Sequence, residues 1–407
     1  MNNKFNLIEM KSLTTILILT LVTLMTSCNQ EAKKNQRLKE LLIGEWELCK
    51  EYATEDIPPP PFFDRPFGIG FSQDSIEFFN GFFQADIDSI TGKRMAKYYG
   101  NFVSYHIKKD SIFIQNVFNS KMEFKWKFVC LSNDTLYLAI DDSTTVKYRM
   151  LKYNIDTVSD FDQIIYSSSG CYGSCPIIDI SIDKNNHILF QGEGYVKELG
   201  FYEGQLDNNL KIYIFDKFKK ANLQKLEKYY TANHTDDESI TTTYIKDNKI
   251  IKTIDDYGHK GTRELIWAYV PIANLHSVVN LKRIPDDEPF YPKYHYYTFE
   301  KGRLILPLAK SESFYLWTEL KKSKITSQDF TPEYTITFTG NYTYWGPDAN
   351  KREHKYEIKK IISDGRFFKF EYKNAPTVTY DLGYNFVEQN FEKEDFIELK
   401  KGEKWMY

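Results

Sequence analysis

Cysteine is the residue type in this chain whose positions suggest the most chemistry. It occurs at Cys28, Cys49, Cys130, Cys171 and Cys175. Three residues separate Cys171 from Cys175, and a proline follows the second thiol. This spacing allows a small disulfide ring, whereas thiol oxidoreductases place two residues between their cysteines. We therefore predict a Cys171–Cys175 disulfide that fixes local shape. Closing so short a loop should contribute only about 2 kcal/mol.

The other two internal cysteines lie in segments with strand-like alternation. Alternation places Cys49 on the face opposite Trp46 and Leu48, and it places Cys130 on the same face as Trp126. Unless a bulge intervenes, this parity argues against a second disulfide.

Other residue types that could carry chemistry do not form recognisable sites. The seven histidines are scattered, and no His-x-x-x-His or Cys-x-x-Cys spacing predicts a metal site. The cluster from His234 to Glu238 could offer oxygens to Ca²⁺, but it lacks the glycine and spaced acids of an EF-hand, so we interpret it as a solvated loop. Asp255 to His259 is interpreted as a strand end and turn. Without a Gly-x-Ser-x-Gly or phosphate-loop motif, we predict no catalytic residues and no cofactor.

Cys28 ends an apolar stretch that follows Lys4 and Lys11. A basic start, a short apolar run and small residues before the cut are typical of a secretory signal. Thr26-Ser27-Cys28 resembles the lipobox of bacterial lipoproteins, in which the cysteine is acylated after cleavage. The resemblance implies a signal peptide over 1–27, a lipidated tether over 28–37, and a place in the envelope of a diderm bacterium. The outer membrane, on its periplasmic or surface face, is the expected location.

The charge and composition of the chain limit the classes of partner that it is expected to bind. The chain has 53 Lys+Arg against 56 Asp+Glu, so no basic excess suggests nucleic-acid binding. Its length of 407 residues predicts two or three domains, and its aromatic content of 16% suits strands. The fold class we predict is mainly β with α+β parts.

Residues 38–154 carry short alternating segments separated by turns such as Lys108-Lys109-Asp110. About eight antiparallel strands in so short a stretch predict an up-and-down β-barrel. Gly44-Glu45-Trp46 after a short helix resembles the opening of lipocalin-like proteins, where the tryptophan closes one barrel end. If the barrel has an open cavity, its lining is expected among four side chains besides Trp46: Leu48, Phe124, Trp126 and Phe128.

Residues 157–284 form the second predicted domain, of α+β type. Cys171-Tyr172-Gly173-Ser174-Cys175-Pro176, followed by a strand hairpin, resembles the family called domain of unknown function 6438. That resemblance implies an exported α+β domain and supplies no known activity. Helical spacing predicts a helix over 210–230 and another over 261–279, begun by Thr262 as a possible N-cap.

Residues 286–407 form the third predicted segment, with a helix over 311–320 and several strands. The hairpin over 334–346 faintly resembles the one over 178–192. A divergent repeat of the middle domain is therefore one interpretation of this α+β segment.

These patterns favour a noncatalytic envelope lipoprotein that binds a small apolar ligand in its barrel. The alternative is a protein-interaction or scaffold lipoprotein, with docking aromatics in the segments 58–67 and 290–297. The stretch 58–67 also fits an ordinary loop covering the barrel, because its proline run cannot join a strand ladder. An exported hydrolase is the third interpretation.

Overall fold

The computed structural model describes residues 31–49, 66–87, 94–155, 160–284, 296–339 and 358–403. The predicted signal peptide, Cys28, the proline run over 58–61 and most of the segment 290–297 lie outside these residues. The chain forms two compact units, one containing residues up to 82 and 99–152, the other containing 83–98 and 153–407. None of the helices among the described residues is both long enough and apolar enough to cross a membrane.

The first unit is a closed eight-stranded β-barrel, as predicted. Neighbouring strands are antiparallel and follow one another along the chain, apart from one hairpin inserted between the third and fourth. The first strand closes the barrel by pairing with both the second and the last. The barrel strands are β1 (Gly44–Leu48), β2 (Gly68–Phe71), β3 (Ser75–Phe78), β6 (Phe102–Lys108), β7 (Ser111–Gln115), β8 (Met122–Leu131), β9 (Thr135–Ala139) and β10 (Thr145–Met150).

Helix α1, residues 31–42, covers one end of this barrel. Residues 31–37, which were predicted as part of a tether, are therefore helical. Its Asn35 amide donates to the carbonyl oxygen of Ile107, and the Lys39 ammonium donates to that of Gln73, so the helix is held against the end of β6 and the turn between β2 and β3. Leu42, in its last turn, is fully buried with Trp46.

The second unit contains a sheet built mainly from the middle segment. Its strands are β11 (Gln163–Ser168), β12 (Ile177–Ile182), β13 (His187–Gly194), β14 (Gly200–Gln205), β15 (Tyr229–Thr231), β16 (Ser239–Lys246), β17 (Lys249–Tyr257) and β18 (Lys282–Arg283), in the spatial order β15-β17-β16-β11-β12-β13-β14-β18. Helices α2 (Asn208–Lys220) and α3 (Arg263–Ala273) pack on one face. Thr262 caps α3 as predicted, because its hydroxyl accepts from the amide of Leu265.

The helix predicted over 210–230 is too long. Helix α2 ends at Lys220, and Asn222 adopts a positive φ of 57°, a conformation that asparagine tolerates and that ends the helix. The residues after it turn back to the sheet, where Tyr229–Thr231 pairs in parallel with β17.

The remaining strands form a second eight-stranded sheet in the same unit. They are β19 (Tyr296–Lys301), β20 (Leu304–Pro307), β21 (Lys324–Thr326), β22 (Tyr334–Thr339), β23 (Ile358–Ser363), β24 (Phe367–Tyr372), β25 (Val378–Asp381) and β26 (Ile397–Glu398). A separate hairpin, β4 (Phe83–Ile87) with β5 (Arg94–Tyr98), belongs to this unit too. The second strand of the proposed repeat hairpin, over 342–345, lies outside the described residues.

Helix α4 (Lys310–Lys322) joins the two sheets into one unit. It packs on β11, β12 and β16 of the middle sheet and on β19 of the other. Trp317 stacks on Phe201 at a centroid distance of 4.6 Å, and one apolar core contains side chains from both sheets and this helix. The two predicted domains on either side of residue 285 therefore share a core. Helix α5 (Phe386–Asn390) packs into the same core.

Candidate functional site

The barrel has one end closed by α1 and an opposite end that carries the turns β7–β8 and β9–β10. We call this second end the barrel mouth and define it by Leu48, Phe78, Phe82, Lys125 and Trp126. Phe78 stacks on Trp126 at a centroid distance of 5.8 Å and lies 4.9 Å from the ring of Phe82. The mouth thus contains three neighbouring aromatic rings, of which Trp126 is buried and the other two are partly buried.

Three of the four predicted lining residues contact the barrel core. Trp126 is buried, and Leu48 and Phe128 are partly buried against the same core. Phe124 lies elsewhere: it is 49% exposed and packs edge-to-face on Phe113. The cause is a register shift between Ile112 and Phe113, where strand β8 gains a residue and Phe124 turns away from the face of Trp126.

Lys125 is the extra residue in this shift and was not predicted. Its ammonium lies 5.4 Å from the Trp126 ring centroid and 6.0 Å from that of Phe78, within cation–π range. Burial lowers the pKa of Lys125. No carboxylate of the described residues pairs with it, so this half-buried cation has only aromatic faces as partners.

The outer surface of the barrel carries an exposed aromatic patch, defined here by His106, Phe113 and Phe124. The His106 ring stacks on Phe113 at 5.1 Å, and Phe124 packs edge-on at 6.0 Å. Cys130 is also exposed, because a second shift lies between Phe128 and Cys130. Cys49 and Cys130 are unpaired.

The predicted disulfide between Cys171 and Cys175 is present in the second unit. Its loop bonds to a neighbouring loop, because the amide of Tyr172 donates to the carbonyl oxygen of Asp236. The Tyr172 side chain is 89% exposed. The disulfide therefore fixes a loop that displays an aromatic ring.

Beside this loop lie two segments that each carry a histidine and acidic residues, His234 to Glu238 and Asp255 to His259, and the structure brings them together. His259 Nε2 lies 2.7 Å from Glu238 Oε1, and His234 Nε2 lies 3.1 Å from Asp237 Oδ2. His259 Nδ1 is buried, so both ring nitrogens face protein. This arrangement fixes the loop before α3 and leaves the imidazole poorly placed to accept a proton from a substrate.

Asp256 anchors the same loop. Its Oδ1 accepts from the amides of Lys260 and Gly261 at 2.6 and 3.0 Å, and burial raises the pKa of this carboxyl despite those bonds. Its Oδ2 and the hydroxyl of Tyr269 are buried and lack a hydrogen bond of good geometry. Among the described residues, no group of three or more His, Cys, Asp or Glu side chains is arranged to hold a metal ion.

A buried charge cluster lies on the opposite face of the middle sheet, and nothing in the sequence pointed to it. Lys310, the first residue of α4, places Nζ 2.9 Å from Glu193 Oε1 and 3.2 Å from Asp179 Oδ2. The three side chains are 4%, 8% and 4% exposed, respectively. Burial lowers the pKa of Lys310, but the two carboxylates outweigh it and hold that pKa above its ordinary value.

Comparison with known proteins adds one match. Residues 162–276 match the model of a family described as "Domain of unknown function (DUF6438)". This confirms the resemblance predicted for the middle segment, and the matched residues include the disulfide, Asp179, Glu193 and His259 but not α4. No curated protein and no solved structure matches the chain.

Proposed function

We propose that this chain is a noncatalytic, lipid-anchored envelope protein whose lipocalin-like barrel binds a small amphiphile with an apolar body and an anionic head. One observation carries the proposal: the half-buried Lys125 ammonium lies over the rings of Phe78 and Trp126 with no carboxylate partner in the described residues. A ligand carboxylate would supply that partner. Its apolar body would contact the aromatic surface of the mouth.

The membrane location rests on the sequence. Cys28 follows a basic start, an apolar run and the small pair Thr26-Ser27, as expected for acylation after signal cleavage. An acyl anchor on Cys28 would place the barrel next to a source of amphiphiles. We propose the outer membrane of a diderm bacterium as its site.

The noncatalytic part of the proposal is supported by the position of the best-placed titratable cluster. His259 has Nε2 against Glu238 and Nδ1 buried, so neither nitrogen is available to a substrate. Asp256 is fully buried and bonds to backbone amides of its own loop. These groups serve the fold of the second unit.

The proposal is tested by titrating the full chain with laurate and, separately, with 1-dodecanol. Lys125→Met keeps the length of the side chain and removes its charge. We expect this variant to bind laurate about tenfold more weakly, equivalent to about 1.4 kcal/mol, because the carboxylate loses its ion pair. Dodecanol affinity should not change, because the alcohol carries no charge.

Lys127→Met is the matched control. Lys127 lies two residues along the same strand, is mostly exposed, and faces Asp110 at 3.7 Å on the outside of the barrel. Its variant should bind both probes as the wild type does. The proposal fails if the wild type binds neither probe, or if the two lysine variants lose laurate affinity equally.

A second candidate function, a protein-interaction lipoprotein, is favoured by the exposed patch of His106, Phe113 and Phe124. Exposed aromatic clusters are common in protein interfaces. If this patch docks an envelope protein, Phe124→Ser should abolish its co-purification from detergent-solubilised envelopes, and Lys125→Met should preserve it. No difference between these variants would count against the scaffold role.

A further inference from the structure

The surroundings of Lys310 Nζ differ from those of an ordinary ion pair. Besides Asp179 and Glu193, the carbonyl oxygens of Ser168 and Ile178 lie 3.0 and 3.2 Å away. A lysine ammonium has three N–H groups for these four oxygens. Two buried carboxylates therefore lie against the same buried ammonium.

The carboxylate of Asp179 is held in place through both of its oxygens. The hydroxyl of Ser167 donates to Oδ1 at 2.5 Å, and Oδ2 is the oxygen that faces Lys310 Nζ. Ser167 would stabilise negative charge developing on Oδ1, in the manner of an oxyanion-hole donor. Glu193 Oε1, at 2.9 Å from Nζ, is placed to accept a proton from it.

We propose that Lys310 and Asp179 condense to an intramolecular isopeptide bond, with Glu193 as the proton carrier. The Lys310 amine attacks Cγ of Asp179, the Nζ–Cγ bond forms, and the Cγ–Oδ2 bond breaks. Oδ2 leaves as water with two of the three protons of the ammonium, one of them carried by Glu193, which ends as it began. The third proton stays on the amide nitrogen, and Oδ1 becomes the amide oxygen.

Two physical factors favour this condensation. The fold holds the reacting groups together, which converts a slow bimolecular reaction into a unimolecular one. The product is a neutral amide, so a buried ammonium and a buried carboxylate disappear along with the cost of keeping them from water. The bond would join β12 of the middle sheet to α4.

The test is the intact mass of the full chain after reduction and alkylation. Formation of the bond removes one water molecule from the sequence mass. Trypsin then separates the candidates, because Asp179 lies in the peptide 153–184 and Glu193 in the peptide 185–197. We expect a branched peptide that joins 153–184 to a peptide still uncleaved after Lys310.

Single-residue variants test the roles proposed for Glu193 and Asp179. Glu193→Gln keeps the shape of the side chain and should yield folded protein of full sequence mass. Glu203→Gln, on the neighbouring strand near His187, is the control and should retain the mass deficit. Asp179→Ala, like Glu193→Gln, should abolish the isopeptide bond.

Three results would overturn the proposal. The first is wild-type protein at full sequence mass with normal cleavage after Lys310, which needs no variant to interpret. The second is a branch to the peptide 185–197, which would make Glu193 the acyl donor. The third is a deficit that survives in Glu193→Gln, which would remove the proton-carrier role. The bond and the ligand of the barrel lie in different units, so either proposal can fail alone.

Discussion

The indole nitrogen of Trp46 donates a 2.8 Å hydrogen bond to the carbonyl oxygen of Leu42, four residues earlier. Both side chains are fully buried. The last carbonyls of a helix have no partner within the helix, so this bond satisfies one of them while it fixes α1 to β1. Trp46 and the last turn of the preceding helix are therefore buried together in the barrel core.

Trp46→Phe should destabilise the barrel by about 2 kcal/mol. The variant loses the bond to Leu42 and leaves a void where the larger ring was. Urea unfolding of the full chain, followed by circular dichroism, measures the change. Phe124→Ala is the control, because that ring is half exposed, and a loss as large as that of Trp46→Phe would contradict this explanation.

Gly192→Ala should destabilise the second unit by about 1–3 kcal/mol, the usual cost of overpacking. A Cβ at Gly192 would lie 2.0 Å from the carbonyl oxygen of Glu198, so the backbone would have to move. Thermal unfolding checks this. Gly194→Ala should cost less, since its Cβ would meet only the flexible end of Ile177 at 3.2 Å. Equal losses would exclude the backbone clash as the cause.

Asp256→Asn should alter how stability depends on pH. Burial raises the folded-state pKa of Asp256 above its ordinary 3.8, so the native carboxyl binds its proton more tightly than the unfolded one. The contribution of this group to the free energy of unfolding therefore falls as pH rises from about 4 through the raised value. Asparagine has no such titration.

Unfolding free energies of wild type and Asp256→Asn at about pH 4 and pH 7 measure that difference. The variant should gain stability relative to wild type at the higher pH. A constant difference across the range would mean that Asp256 does not titrate in this window.

Removing the disulfide should have a small effect on stability. Replacing Cys171 and Cys175 together by serine should cost about 2 kcal/mol or less, because the closed loop is short. Differential scanning calorimetry of the full chain measures it, with Cys49→Ser as the control. A much larger loss would show that the loop supports the sheet beyond its own closure.

The barrel could be predicted because strand alternation and close turns are local features of the sequence. The positions of Phe124 and Cys130 could not, because each depends on a register shift in β8 that no residue type marks. One extra residue reverses the faces of the strand beyond it. Lys125 is the extra residue at the first shift, and the same shift places its side chain over two aromatic rings.

The buried charge cluster could not be predicted from the sequence for a different reason. Lys310 and Asp179 are separated by 131 positions, and Lys310 lies in the first turn of a helix, where exposed lysines are also found. Only the packing of α4 on the middle sheet brings them together. The boundary expected near residue 285 follows the end of the family resemblance in the sequence, which carries no information about which sheet a later helix will cover.

The chain is already helical at residue 31, the first residue that the structure describes, and this limits how far the barrel can lie from Cys28. Residue 31 lies three positions after Cys28, and an extended chain spans at most about 3.6 Å per residue. If Cys28 carries the lipid, residue 31 of helix α1, which packs on the barrel, lies within roughly 11 Å of the anchoring residue. Such a protein would have no tether long enough to let the barrel reach across the periplasm to a second membrane. It would meet only those molecules that come to the surface of its own bilayer.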